Sequence, residues 1–210
     1  MRKKSDEKRQ AFLDAAYALF RANGFEKTSM LEITVHVGGS KATLYNYFPS
    51  KEELFVECMF DMADHYLENV FSDLEAPQIN LEAALQGFGK KILNLICSAD
   101  LLAARRLMIS EAGRSGIGKL FYDKICSHQN QLATFFDAMM QEGKLRRADA
   151  LLAARQLRAL LEAEIYEPFL LCVHDDPPDD TAVTQATERA VSVFLRAYAT
   201  DAADESRQKV

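Results

Sequence analysis

Groups that bind phosphate are concentrated in residues 24–55 of this 210-residue chain. Lys41, Tyr45, Tyr47 and Lys51 place two ammonium groups and two phenol hydroxyls in a short span. Ammonium and hydroxyl groups hydrogen-bond phosphate oxygens, and the free amides at a helix N-terminus add to such a site. This chemistry indicates contact with the backbone of a nucleic acid.

Two short helices and a glycine turn must position these groups. Ser29 and Glu32 have the spacing of a capping box, which opens the first helix, and glycines 38–39 end it. Ser40 is a good N-cap for a second helix over residues 41–48. This order of elements predicts a helix-turn-helix.

The second helix is predicted to read DNA. At roughly 100° per residue, Leu44 and Phe48 share its inward face. Its remaining positions carry small or polar side chains suited to bases and phosphates: Lys41, Ala42, Thr43, Tyr45, Asn46 and Tyr47. Ordinary core packing explains caps and glycines, but it explains an exposed Tyr-x-Tyr pair less well. Ser50 and Glu53 form another capping box, which opens the next helix.

Residues 8–56 also repeat the pattern of a known domain. The matching residues are Phe20, Gly24, Phe25, Thr28, Ser29, Ile33, Gly38, Ser40, Lys41, Thr43, Leu44, Tyr45, Tyr47, Phe48, Ser50, Lys51, Glu52, Glu53 and Leu54. In these residues the chain resembles the DNA-binding domain of the TetR family of transcriptional regulators. The rest of the chain is loosely similar to the AefR-type branch in helix pattern and length.

The resemblance implies DNA contacts at nine positions. They are Thr28, Ser29, Ser40, Lys41, Ala42, Thr43, Tyr45, Tyr47 and Lys51. The chain departs from the family pattern at Thr34, Val37 and Gly39, where the family usually has alanine, alanine and valine. β-Branched residues reduce helix propensity and a missing side chain removes packing, so these positions bear on the angle between the two helices.

The charge is divided unevenly along the chain. The net charge is −6, yet residues 1–51 hold nine Lys or Arg and five Asp or Glu, a net of +4, and the remainder carries −10. A basic head on an acidic body suits a protein that touches DNA with one end. No signal peptide and no run of 18 apolar residues occurs, which predicts a cytoplasmic protein without a membrane span. The four cysteines are far apart and are predicted to be buried, reduced thiols.

The remaining pattern predicts an all-α chain. Helix 1 is expected from about Glu7 to Asn23. The basic residues Arg2-Lys3-Lys4 and Lys8-Arg9 form an arm that follows phosphates or enters the minor groove, or they are simply a solvated, disordered tail. Further helices are predicted at about 51–73, 81–98, 100–112, 117–142, 149–172 and 180–200. We expect a DNA-binding domain over residues 1–52 and a ligand-binding and dimerisation domain over residues 53–210.

The last two predicted helices carry apolar stripes. The large and small residues concerned are Leu157, Leu160, Leu161, Ile165, Val183, Ala186, Ala190, Val191, Phe194 and Tyr198. Internal packing explains each stripe alone, but the resemblance implies a homodimer through this helix pair, and a C2 dimer suits a palindromic operator.

A group of flexible and aromatic side chains is the candidate ligand pocket. Its members are Met108, Phe121, Tyr122, Phe135 and Met139. Such residues line adaptable pockets, although they also form ordinary core. The resemblance implies a small-molecule effector that binds in the body.

Signals for catalysis and metal binding are weak. The acidic run at residues 175–180 is interrupted by two prolines, so it is a turn in which Asp179 or Asp180 caps the final helix. No nucleophile elbow, phosphate loop or acid–base pair occurs, and we expect neither an enzyme nor a cofactor. The sequence predicts a repressor released from a palindromic operator by a small molecule. The alternative is a helical ligand-binding protein or metal-dependent enzyme whose first domain does not read DNA.

Salt dependence separates these two interpretations. Binding of the protein to duplex DNA should weaken steeply as salt rises, because neutralising phosphates releases counterions. Fluorescence anisotropy over a salt series measures the slope. Turnover that depends on a divalent metal and disappears on replacing Asp175 and Asp176 would favour the enzyme.

Overall fold

A computed structural model describes residues 2–72, 74, 80–114, 116–174 and 176–200. The described residues form ten helices and no β-sheet. The predicted all-α fold class is confirmed. The helices are α1 (Arg2–Lys27), α2 (Met30–Val37), α3 (Lys41–Tyr47), α4 (Lys51–Ser72), α5 (Leu81–Ile96), α6 (Ala99–Glu111), α7 (Ile117–Gln141), α8 (Ala150–Glu162), α9 (Tyr166–Leu170) and α10 (Asp180–Tyr198).

The chain divides into two compact units. The first comprises residues 1–65 and 103–124, and the second comprises residues 66–102 and 125–210. The helices α4, α6 and α7 therefore contribute residues to both units. No helix of the described residues is long and apolar enough to cross a membrane.

An aromatic cluster holds the first unit together. The rings of Phe20, Phe25 and Phe55 lie 5.0–5.8 Å apart between centroids, and each residue is at most 5% exposed. Edge-to-face and offset ring pairs contribute beyond the area they bury. Gly24, with φ 78°, breaks the helical path of α1 just before Phe25, as the sequence predicted. The cluster thereby joins α1 to the start of α4.

The second unit is built around a continuous apolar core of α5, α7, α8 and α10. Phe194 stacks on Phe136 and on Tyr198, with ring centroids 5.0 and 4.7 Å apart. The apolar stripes predicted to form a dimer interface lie in this core or pack against it. The buried members are Leu157, Leu161, Val183, Ala186, Ala190, Val191, Phe194 and Tyr198, and Leu160 and Ile165 are partly buried against them. These side chains pack within the chain itself, as the alternative of internal packing predicted, and a homodimer through the last two helices stays a prediction.

The predicted helix over residues 149–172 is two helices. α8 ends at Glu162, residues 163–165 form a turn, and α9 begins at Tyr166. Pro168 explains why the helix is interrupted. Proline has no amide hydrogen to donate to the Glu164 carbonyl, and its ring would clash with that carbonyl in a continuous helix.

The connection after α9 exposes one cysteine. Cys58 and Cys97 are buried and Cys126 is half-buried, but Cys172 is exposed, so the prediction of buried thiols was wrong there. It follows the short helix α9, outside the apolar cores. Burial raises the pKa of the Cys97 thiol to about 11, which keeps it protonated. At the end of the same connection, Asp179 Oδ1 accepts the Ala182 amide at 2.7 Å, confirming the predicted cap of the final helix.

Two glycines of α5 provide a matched test of this packing. A Cβ at Gly89 would lie 2.7 Å from Thr187 Cγ2 and 2.8 Å from Leu161 Cδ2, whereas one at Gly87 would meet nothing within 4 Å. Gly89→Ala should lower the free energy of unfolding by about 1 kcal/mol or more through overpacking. Gly87→Ala should raise it by about 0.5–1 kcal/mol through helix propensity. Chemical denaturation measures both, and equal shifts of one sign would contradict this close helix approach.

Candidate nucleic-acid interface

Local capping fixes the first helix of the pair. Ser29 Oγ accepts the Glu32 amide at 3.1 Å, and the Glu32 carboxylate accepts the Ser29 amide at 3.4 Å. The predicted capping box is therefore present. Thr34, one of the departures from the family pattern, is buried and donates its hydroxyl to the Met30 carbonyl at 2.7 Å. This bond satisfies the extra polar group that threonine brings in place of alanine.

The second helix is held by one cap and two buried side chains. Ser40 Oγ accepts the Thr43 amide at 3.1 Å and lies 2.8 Å from the Thr43 hydroxyl. Leu44 and Phe48 are 0% and 1% exposed, so the predicted inward face is confirmed. The Ser50 hydroxyl accepts the Glu53 amide at 3.0 Å, which starts α4 directly after the pair.

The opposite face of α3 is presented to solvent. Lys41, Ala42, Tyr45 and Asn46 are exposed, and Ser29 and Ser40 are exposed at the starts of the two helices. The Lys41 ammonium lies 5.6 Å from the centroid of the Tyr45 ring, one helical turn along. The Lys41 ammonium and the Tyr45 ring, with its hydroxyl, therefore lie together on one exposed surface.

Three predicted contacts are less exposed. Thr43 is half-buried, and so is Tyr47, whose ring lies 6.1 Å from that of Phe12 and 6.4 Å from that of Phe48. Lys51 is also half-buried. Its ammonium lies 4.2 Å from the centroid of the Phe25 ring.

Thr28 does not fit the role of a side-chain contact. It is 1% exposed, and its hydroxyl donates to the carbonyls of Gly24 at 2.9 Å and Leu19 at 3.2 Å. Both carbonyls belong to α1, close to its break at Gly24. The hydroxyl is therefore bonded to carbonyls of α1. The prediction that the Thr28 side chain contacts DNA is corrected, because this side chain is buried.

The basic arm is not a separate segment. α1 begins at Arg2, so the backbone of the arm is helical, in contrast to the predicted start near Glu7. Arg9 Nη2 lies 2.9 Å from Glu57 Oε2, and its guanidinium covers the Phe48 ring at 5.1 Å. Lys8 donates to carbonyls at the end of α2. Both cations are engaged within the protein.

Glu57 joins α1 to α7 within the first unit. Besides Arg9, it contacts the Lys124 ammonium at 3.1 Å, and Asp64 lies at the same distance from that ammonium. Burial alone would lower the pKa of Lys124, but the two carboxylates outweigh it and the pKa is raised. Sequence reasoning missed this network, because each of its ion pairs joins residues 48 or more positions apart and no local pattern marks them.

The predicted pocket residues divide between the two units. Met108 and Phe121 are buried in the first unit, where Phe121 packs on Phe60 at 5.6 Å, while Tyr122 is 56% exposed. Phe135 and Met139 belong to the apolar core of the second unit. Among the described residues, no group of three His, Cys, Asp or Glu side chains is placed to hold a metal ion. Asp175 of the acidic run lies outside the described residues.

Two family descriptions match the chain. Residues 12–58 match the tetR family of bacterial regulatory proteins, and residues 83–200, more than half of the chain, match the C-terminal domain of AefR-like transcriptional repressors. The chain belongs to the TetR family. It is a DNA-binding transcriptional regulator, and the resemblance stated from its sequence is confirmed.

Solved structures agree over nearly the whole chain. A TetR-family protein from Mesorhizobium loti shares 26% identity with a TM-score of 0.78, covering 93% of this chain and 98% of that one. The flavonoid-responsive regulator FrrA shares 30% identity with a TM-score of 0.74, covering 93% and 99%. The transcriptional repressor ComR of Escherichia coli is 32% identical over 92 residues, which is 44% of each chain. These relatives are transcriptional regulators, which are not enzymes.

The structural role of Thr28 is testable. Thr28→Val keeps the shape and removes the hydroxyl, so the two α1 carbonyls lose a donor and the free energy of unfolding should fall by about 1 kcal/mol. Denaturation monitored by circular dichroism gives this value. DNA binding at a temperature where both proteins are folded should keep its salt slope. A reduced slope would instead place Thr28 at a phosphate.

Proposed function

We propose that this TetR-family protein is a homodimeric repressor that binds a palindromic operator through α3 and leaves it when a small molecule binds. The observation that carries the proposal is the exposed surface of α3. The helix and its C-cap bury Leu44 and Phe48, whereas Lys41, Ala42, Tyr45 and Asn46 are exposed. That division is expected of a helix that docks in a major groove.

The exposed residues divide by the chemistry they offer. Lys41, Ala42 and Asn46 present an ammonium, a methyl and an amide, which suit guanine, thymine and adenine edges respectively. Thr43, half-buried beside Ser40, completes the proposed base-reading set. Hydroxyl groups on the flanks suit phosphates, and they belong to Ser29, Ser40, Tyr45 and Tyr47. The Lys51 ammonium suits a phosphate as well. Thr28 supports this surface from within.

The proposed dimer uses the outward faces of α8 and α10. Leu152 and Val193 are 48% and 50% exposed on these helices, and Ala159 and Ala197 are exposed beside them. Their other faces are buried in the core of the second unit, and these apolar side chains remain exposed among polar ones. A two-fold axis through it would present two α3 helices to two half-sites of a palindrome.

The proposed effector acts through the body of the protein, residues 53–210, while residues 1–52 bind DNA. The FrrA regulator is described as flavonoid-responsive, which supports a small-molecule response in this chain. The candidate lining residues do not form one set, since Met108, Phe121 and Tyr122 belong to the first unit and Phe135 and Met139 to the second, and each group is a separate candidate for the effector site. A ligand shifts the balance between binding-competent and incompetent states only by its differential affinity for them.

Substitutions on α3 test the division of roles. Tyr45→Phe removes one hydroxyl and should weaken binding to every duplex by about the same factor, because phosphates carry no sequence information. Lys41→Ala and Asn46→Ala should change which bases are preferred at individual positions, at about 1–3 kcal/mol for each lost bidentate contact. Competition among single-base operator variants measures this. A changed base preference in Tyr45→Phe would contradict the assignment.

The dimer is tested by charge. Leu152→Glu with Val193→Glu should shift the protein toward monomer in sedimentation, because unpaired charges in an apolar interface are not solvated. Leu171→Glu is the matched control, since Leu171 is 65% exposed and lies outside both helices. A dimer that survives the double substitution would place the interface elsewhere.

A further inference from the structure

The turn between α2 and α3 contains two glycines in the left-handed region. Gly38 has φ 73° and Gly39 has φ 144°. Neither residue brings a side chain to the turn, although α3 begins at Lys41, directly after it. Something else must fix the direction in which α3 leaves α2.

The Lys8 side chain occupies the concave side of this turn. Its ammonium donates to the Val37 carbonyl at 3.3 Å and to the Gly38 carbonyl. The last carbonyls of a helix lack intrahelical donors and carry the negative end of its dipole, so a cation is favoured there. Lys8 thus closes α2 from α1.

The stem of Lys8 also lies directly against the position that a Cβ at Gly39 would take. A Cβ at Gly39 would lie 3.6 Å from Lys8 Cε, 3.7 Å from Lys8 Nζ and 3.9 Å from Phe12 Cζ, all ordinary contact distances. The TetR pattern usually has valine at this position. In this chain, packing around the turn comes from Lys8 and Phe12 on α1.

These two residues reach both ends of α3. Lys8 and Phe12 are one helical turn apart, and the Lys8 ammonium lies 5.4 Å from the centroid of the Phe12 ring. Lys8 contacts the turn that precedes α3, and Phe12 contacts the Tyr47 ring in its last turn at 6.1 Å. A single face of α1 therefore contacts the turn before α3 and the last turn of α3.

We infer that Lys8 is a positioning residue for DNA recognition, which sets the orientation of α3 by holding the glycine turn. This inference rests on the proposed role of α3 in reading bases. It differs from a role for Lys8 in a phosphate-binding arm, which would require its ammonium to point toward DNA.

The two roles of Lys8 affect binding differently. A phosphate contact contributes to all duplexes, and its loss reduces the slope of log affinity against log salt by about 0.9. A positioning residue contributes only when α3 must match base edges. Its loss lowers affinity for the operator and leaves non-specific binding and the salt slope unchanged.

The test compares Lys8→Met with the wild-type protein on the selected operator and on a scrambled duplex, across a salt series. Methionine keeps the apolar stem and removes the ammonium. We expect operator affinity to fall about five- to tenfold, the effect of one lost hydrogen-bonded contact, with scrambled-duplex affinity and slope unchanged. Lys119→Met is the matched control, because Lys119 is an exposed cation of the first unit paired with Asp123 on its own helix. It should change neither affinity.

Two results would overturn the inference. Equal losses on both duplexes with a reduced slope would make Lys8 a phosphate contact, and unchanged operator affinity would leave it without a role in recognition. If Lys8→Met does not fold, Lys8→Gln, which retains donor hydrogens without charge, is put through the same comparison. A wild-type protein that prefers no duplex would contradict the proposed function itself, and this result is obtained before any variant is made.

Discussion

A helix of seven residues does not hold its shape alone in water, because nucleating it costs more than its few hydrogen bonds return. α3 has this length, and the whole proposed interface depends on it. Its stability comes from outside: a Ser40 cap at one end, and Leu44 and Phe48 buried beneath it. The first unit is organised to provide that support, since its aromatic cluster joins α1 and α4, the helices that precede and follow the pair in sequence. The proposed DNA-binding surface can then carry small and polar residues, which contribute little to folding.

Local signals predicted this head closely. Serine caps, the paired glycines and the proline after Phe48 act within a few residues, so they are legible in sequence. α3 was expected over about 41–48 and spans Lys41–Tyr47. The inward pair on α3 followed from helical spacing alone. The departures at Thr34 and Gly39 are accommodated by contacts that spacing cannot reveal: a hydroxyl bonded to the preceding turn, and a lysine supplied by another helix.

Other features depend on partners distant in sequence. The charge of the head suggested a basic arm, yet Arg9 pairs with Glu57 at 2.9 Å and Lys8 closes α2, so part of that charge stabilises the protein instead of meeting phosphate. An apolar stripe in a sequence likewise shows that one face of a helix is buried, but it does not show which partner covers that face. The apolar stripes of α8 and α10 are covered by other helices of the same chain. Pro168 carried a local signal for the break between α8 and α9 that was overlooked.

The central claim is that two copies of α3 read a palindromic sequence. Selection from a random duplex library, followed by sequencing, tests it most directly. Protein refolded to remove bound small molecules would be used at near-physiological salt. The account predicts enrichment of two inverted half-sites, about one helical turn or a small multiple of it apart. Enrichment of no sequence by the folded protein, or of a single half-site without its inverted copy, would contradict it.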